Sequence, residues 1–475
     1  MSPIVLKRVP GSVLPAEERV NTFAEIDGGY TFAEAREEAK RCLLCRNPYC
    51  RKGCPANTLI PHFINALDRG ALPEAAALLR VKNTMPAVCG RICAQELQCE
   101  GVCVVGRKGE PVAIGRLERF VADWEQREYG PRVPNELSPG PGARSARVAV
   151  VGAGPAGLAA ALDLARLEHR VTVFDELPLP GGMLVAGIPA FRLPRAVNDA
   201  EVQKVRAHGV AIEANAALGK DFTLDDLAGS FEAVFLASGA YTGRPIGVEG
   251  EELEGCRHAL PFLRDVYLGA AGAPGRRVAV VGGGFTAMDV ARVARRLGAA
   301  ALVVYRRTRI EMPVPETELE EAAEEGVEFH YLTSPLRILS DGRGRVAGLL
   351  CVRNVQTVEN QNGGRRSLRA IPGSEFVLEA DAVVAATGQA PDPSILPADL
   401  AATFGERGLA VDPATLMTAR PGVFAGGDYV LGARTVVEAV VHGRRAARSI
   451  HRYLTGNEVR EPSEEPELAK KVVGE

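Results

Sequence analysis

The chain has 475 residues, 46% of them apolar and 24% charged, with a formal charge of −3. That length is too great for one ordinary core and points to about two to four domains of a globular, not a disordered, protein. The near-neutral charge offers nothing for nucleic acid or an anionic membrane. Met1 to Val20 lacks the apolar centre of a signal peptide, and no apolar run is long enough to span a bilayer. The expected location is therefore the cytoplasm.

Residues 1 to about 130 read as short helices (Phe32 to Arg41, Ile60 to Arg69, Pro73 to Arg80, Ile114 to Tyr129) carrying most of the cysteines. Of ten cysteines, eight lie between Cys42 and Cys103, while Cys256 and Cys351 stand alone. In a reducing compartment such clustering argues for metal and against disulfides. The first set is Cys42-x2-Cys45-x4-Cys50-x3-Cys54-Pro55, and the second is Cys89-x3-Cys93-x5-Cys99-x3-Cys103. A Cys-Pro end is that of ferredoxin-type runs, whose fourth cysteine serves a second cluster, so two [4Fe–4S] clusters are the leading reading. Zinc is the structural alternative, although only Cys42 and Cys45 have the paired C-x2-C spacing common in its sites.

A Pro/Gly stretch, Gly130 to Pro134 and Ser138 to Gly142, marks a boundary. Beyond it, apolar strands alternate with Ala-rich helices, the pattern of a parallel α/β sheet. One strand–turn–helix–strand unit occurs over Arg147 to Asp175 and again over Arg277 to Arg307. The predicted architecture is α/β: a helical iron–sulfur domain (1–140), then two nested Rossmann-like domains. These are a discontinuous FAD domain (145–260 with 385–460) and an NADPH domain (261–384), followed by a loose tail (461–475).

In the first unit, strand Val148 to Val151 runs into Gly152-Ala153-Gly154-Pro155-Ala156-Gly157. Gly152 permits the tight turn, Gly154 lets backbone N–H groups reach a pyrophosphate, and Gly157 lets helix and strand pack closely. The next strand ends at Asp175-Glu176, acids placed to bond ribose hydroxyls. Gly181-Gly182-Met183 and Arg192-Leu193-Pro194 look like further cofactor wall. Far along the chain, strand Val423 to Ala425 ends in Gly426-Gly427-Asp428, and a helix follows Thr435. Asp428 can meet a ribityl or phosphate hydroxyl, and the helix can aim its positive end at a flavin. FAD is the predicted ligand.

The second unit carries Gly282-Gly283-Gly284-Phe285-Thr286-Ala287. Its next strand ends in Tyr305-Arg306-Arg307, where an NAD site would place a carboxylate. Guanidinium groups there suit a 2′-phosphate, so NADPH is predicted. Asp289 can as well satisfy nearby backbone as touch a ligand. Hydride transfer between two such cofactors requires alignment more than acid–base groups, and no Ser/His/Asp constellation or amidotransferase-like Cys/His pair is visible.

With these motifs the chain resembles the small (β) subunit family of bacterial glutamate synthase, from about Phe23 to Leu454. The resemblance rests on the double cysteine set with Val88-Cys89-Gly90-Arg91, both glycine fingerprints, Tyr305-Arg306-Arg307 and Gly426-Gly427-Asp428. It implies FAD, NADPH and two [4Fe–4S] clusters with a crossed ligand set. One cluster would take Cys42, Cys45, Cys50 and Cys103; the other would take Cys54, Cys93, Cys99 and Glu118, leaving Cys89 spare. The chain departs from the family pattern at Phe285, where many relatives are polar. The implied role is exchange of hydride with NADP(H) and relay of single electrons to or from a partner subunit or ferredoxin-like acceptor. A stand-alone reductase of a small acceptor and a non-catalytic scaffold binding nucleotide and zinc remain the alternatives. A thioredoxin-reductase-like disulfide mechanism is disfavoured, because Cys256 and Cys351 form no C-x-x-C.

Overall fold

In the computed structural model, residues 5–132, 134, 137–140, 144–356 and 367–459 are described. Part of the predicted linker (Val133, Pro141, Gly142) and the predicted tail from Glu461 lie outside them. The helix Phe32–Ala39 starts at a capping box in which Thr31 and Glu34 satisfy each other's backbone N–H. Helices Ile60–Asp68, Leu72–Arg80 and Pro86–Ile92 each carry proline in the first turn, where a missing N–H costs no hydrogen bond. Helices Phe32–Ala39, Ile60–Asp68, Leu72–Arg80 and Ile114–Tyr129 enclose a core that includes Phe63, Leu67, Leu79 and Leu117, and Cys42, Cys50, Cys54 and Cys103 pack against its edge. The cysteine loops are thereby laid on a firm helical bed.

After Arg147 the alternation becomes two five-stranded sheets, each parallel throughout. The first runs Val423–Ala425, Ala233–Leu236, Arg147–Val151, Arg170–Asp175, Ala211–Ala214. The second runs Glu328–His330, Ala300–Val304, Arg277–Val281, Ala382–Ala385, Cys256–His258. The strand before each glycine fingerprint is central in its sheet, and both read Arg-Val-Ala-Val-Val with all but the arginine buried. Such unbroken apolar runs belong to strands covered on both faces.

The second sheet is an insertion in the first. The chain leaves at Thr242–Gly243 and returns at Gln389–Ala390, and these two short strands pair antiparallel. Strand Cys256–His258, placed by the sequence reading in the first unit, belongs to the second sheet; three residues are too few to reveal which sheet will take them. Strands Thr333–Ser340, Val346–Gln356, Leu368–Ala370 and Phe376–Leu378 form a separate antiparallel sheet. Among the described residues no helix is long and apolar enough to cross a membrane.

Candidate functional site

The first glycine loop is shaped by close backbone approach. Gly152 has φ +104°, and a side chain there would begin 2.4 Å from the Ala237 carbonyl oxygen; one at Gly157 would begin 1.8 Å from that of Gly152. At Gly154 the nearest atom would be the Gly182 Cα at 3.7 Å. The space before helix Pro155–Arg166 is thus left open, as an anion at a helix N-terminus requires.

A cavity lies above this loop. Gly152, Gly154, Pro155 and Ala156 line it together with Asp175, Glu176, Gly182, Met183, Asp428 and Thr435. Gly157 and Gly427 do not line it but pack against residues that do, Gly152 and Ala156. The two acids divide their duties. Asp175 accepts hydrogen bonds from the N–H groups of Ala153 and Leu177 and so ties the glycine loop down, and burial lifts its carboxyl to about 6. Glu176 is exposed on the cavity rim, free of that task. Burial likewise lifts Asp428 to about 7, while the Arg434 N–H donates to it. Sequence reasoning missed Ser238, Tyr241, Thr242 and Arg434, which complete the lining without belonging to any motif. The buried Ser238 hydroxyl has no hydrogen-bond partner among the described residues. An orphan hydroxyl, an open glycine cradle and a helix N-terminus together fit a dinucleotide phosphate and ribose.

Helix Val436–Thr455 closes the cavity. Thr435 and Glu438 form a capping box at its start, and Thr435, Val436 and Ala439 face the cavity, so the positive helix end points inward. Farther along, a side chain at Gly443 would begin 2.1 Å from the Ala156 carbonyl oxygen, so this helix nearly touches Pro155–Arg166.

The second fingerprint repeats the geometry. A side chain at Gly282 would begin 2.3 Å from the Ala386 carbonyl oxygen, whereas one at Gly284 would meet nothing within 4 Å. The Thr286 hydroxyl accepts from Gln389 at 3.3 Å, joining the start of this helix to the returning crossover. Arg306 is exposed at the end of strand Ala300–Val304, while Arg307 is ion-paired with Glu311 at 2.8 Å. Phe285 lies under the Arg192 guanidinium, 5.6 Å from ring centroid to Cζ. Arg192 does not line the first cavity. It bridges Asp289 at 2.9 Å and Glu318 at 2.8 Å, which also gives Asp289 its partner.

The cysteines fall into two groups that interleave along the chain. Cys42, Cys45, Cys50 and Cys103 surround one hollow with Leu43, Tyr49, Ile60 and Val105. Leu44 takes a left-handed φ of +47°, and its N–H faces the Cys42 sulfur. Cys54, Cys93 and Cys99 each lie within electrostatic reach of Glu118, and Cys93 is hydrogen-bonded to Cys89. Asn83 donates to Glu118 at 2.9 Å, and burial lifts that carboxyl to about 7. Burial pushes the Cys42 thiol up to about 12 and Cys50 to about 11. Thiolates so placed need a cationic centre to hold their charge. The first group rings a hollow, which suits a polynuclear cluster.

The second group adjoins the helix that lines the first cavity. Cys89 and Ala56 pack with Val437, and Cys54, Cys93 and Val441 join them. One helix therefore carries Val436 on the cavity wall and Val437 against the cysteines.

A helical cysteine unit followed by two nested dinucleotide folds defines an NAD(P)H-dependent oxidoreductase working with FAD and [4Fe–4S] clusters. Residues 19–129 match the family of dihydropyrimidine dehydrogenase domain II with its 4Fe-4S cluster, and residues 146–446 match the pyridine nucleotide-disulphide oxidoreductases. The chain belongs to the glutamate synthase small-chain family: it is 38% identical to the NADPH glutamate synthase small chain of Escherichia coli over 469 residues, covering 95% of this chain and 98% of that one. It is also 44% identical over 428 residues to the NADP(+)-dependent formate dehydrogenase subunit beta of Moorella thermoacetica, covering 85% of this chain but only 60% of that protein. The fold is shared with Mycobacterium tuberculosis FprA in complex with NADPH, at a TM-score of 0.56 and 19% identity over 66% of this chain and 85% of that one.

Proposed function

We propose that this chain is an electron-input subunit working between NADP(H) and a partner polypeptide. FAD and two [4Fe–4S] clusters held here would supply hydride acceptance and single-electron relay, so that each NADPH would become NADP⁺ and one proton for every two one-electron acceptors reduced. The same parts serve the reverse direction. The observation that carries the reading is the contact between the second cysteine group and the helix lining the first cavity.

In this reading Gly152, Gly154, Pro155, Ala156, Gly157, Glu176, Gly182, Met183, Gly427, Asp428 and Thr435 hold FAD, with Asp175 setting the loop. Gly282, Gly284, Phe285, Thr286 and Arg306 hold NADPH, with Arg307 steadied by Glu311. Cys42, Cys45, Cys50 and Cys103 take one cluster; Cys54, Cys93, Cys99 and Glu118 take the other. The units proposed are 1–140, then 145–243 with 389–460, with the inserted unit between them. Relatives named as a small chain and as a subunit beta support a partner polypeptide.

Anaerobic purification followed by NADPH addition tests the reading. Flavin and about eight irons per chain, as two four-iron clusters require, are expected, with bleaching of flavin absorbance and new EPR signals from reduced clusters. A chain holding zinc, or one whose flavin NADPH leaves unchanged, overturns it. Arg306→Glu is expected to lower the NADPH over NADH preference at least tenfold, measured as the ratio of kcat/KM values; a worth of about 1.5–3 kcal/mol for a charged hydrogen bond sets that scale.

A further inference from the structure

The two cysteine groups differ in what covers them. The second is roofed by Val437 and Val441 of the Val436–Thr455 helix. Among the described residues the first has no such roof: Leu43, Leu44, Tyr49 and Val102 beside it are 43%, 38%, 47% and 43% exposed. Large apolar side chains so gathered are unusual on a surface meant only for water.

Leu43 and Tyr49 line the same hollow as Cys42, Cys45, Cys50 and Cys103. A side chain at Gly53 would begin 2.6 Å from Val102 Cγ2, so the stretch before Cys54 abuts the stretch before Cys103. The Tyr49 ring holds Lys52 Nζ and Arg107 Cζ, each 5.6 Å from its centroid, fixing two cations at the edge of the apolar patch. Arg46 and Lys108 are exposed nearby in sequence. Residues 42–54 and 101–109 contain no Asp or Glu, and the flanking Glu100 and Glu110 are both engaged by Arg8, although the whole chain is net negative.

We propose that this face, an apolar centre framed by Arg46, Lys52, Arg107 and Lys108, docks the acidic surface of a protein carrying a one-electron centre. The proposal rests on the electron-input reading and adds to it where the partner sits and what charge it bears. The charge complement is local, opposite in sign to the molecule as a whole, and lies beside the cysteine group that the flavin side does not cover. Basic residues at the rim would steer an acidic partner, and the apolar centre would seat it.

The test uses two oxidised probes, an acidic [2Fe–2S] ferredoxin and a basic cytochrome c, binding to immobilised holoprotein without NADPH. Expected are ferredoxin binding that weakens at least tenfold between 0.05 and 0.5 M NaCl, and no comparable cytochrome binding. The triple variant Arg46→Glu/Lys52→Glu/Arg107→Glu should reverse that preference, while Arg343→Glu, a reversal on a distant hairpin, should not. Iron content and flavin bleaching by NADPH are measured on every variant. If the triple variant loses iron, Lys108→Glu reads the same effect on a smaller scale, about threefold to tenfold. Absence of salt-sensitive ferredoxin binding, or equal effects of Arg343→Glu and the patch reversals, overturns the docking proposal. Missing iron or an unbleached flavin in the unmodified protein instead defeats the electron-input reading.

Discussion

Gly154 and Gly157, three residues apart, answer to different constraints. Gly157 sits where any side chain would begin 1.8 Å from a backbone oxygen, so Gly157→Ala must displace the loop or the helix. A loss of about 2–4 kcal/mol in stability is expected, with loss of flavin. Gly154→Ala meets nothing closer than 3.7 Å, so the flavin-free protein should keep its stability to within about 0.5 kcal/mol. FAD affinity should nevertheless fall more than tenfold, because the methyl group takes the space left for the phosphates. Thermal unfolding and flavin titration of both variants check the pair. Normal FAD binding by the Gly154→Ala variant would show that the phosphates lie elsewhere.

These glycines were legible in the sequence because backbone geometry admits few residues at such positions. Asp175 and Glu176 were legible only as a pair. Which of them is left free for a ligand depends on the hydrogen bonds that Asp175 accepts from the loop, and spacing does not encode that. Ser238, Tyr241 and Arg434 were not legible, since each reaches the cavity through a turn whose path is set by tertiary packing.

At the scale of elements, the Val436–Thr455 helix was read from its apolar spacing, but its contact with the cysteine unit was not. That contact is fastened by Arg444, which pairs with buried Asp163 at 2.8 Å and donates to the Val81 carbonyl oxygen at 2.8 Å. One side chain thus joins two helices of the first unit to the N-terminal unit. Arg444→Ala leaves Asp163 buried without this partner, at an expected cost of about 3–5 kcal/mol. Denaturant unfolding measures the cost, and protease nicking near residues 130–145 should accelerate as the N-terminal unit loosens. Unchanged nicking together with unchanged stability would show that the apolar packing alone holds the units together.

Across the whole molecule, Arg192 holds the inserted unit against the first. Its bonds to Asp289 and Glu318 span about a hundred residues of sequence and cross the gap between the two sheets. The sequence reading set Arg192 on the cofactor wall, because its Gly/Pro surroundings resemble one and nothing local reveals a partner so distant. Arg192→Ala removes the cation shared by two carboxylates that lie largely buried, and a loss of about 3–5 kcal/mol is expected. Arg192→Lys should recover less than half of it, because an ammonium cannot offer the guanidinium's two separate edges. Unfolding curves of the two variants decide this, and full rescue by lysine would show that charge alone suffices there.

The antiparallel pairing of Thr242–Gly243 with Gln389–Ala390 has a consequence for how such a chain can be altered. The two ends of the inserted unit lie side by side, so the first sheet is interrupted in sequence but continuous in space. A foreign nucleotide-binding cassette whose termini are equally close can be spliced at these positions, provided that it also supplies the two carboxylates that receive Arg192. The nucleotide chosen by the protein is in that sense a replaceable part, exchanged at one seam without redrawing the route between flavin and cysteines.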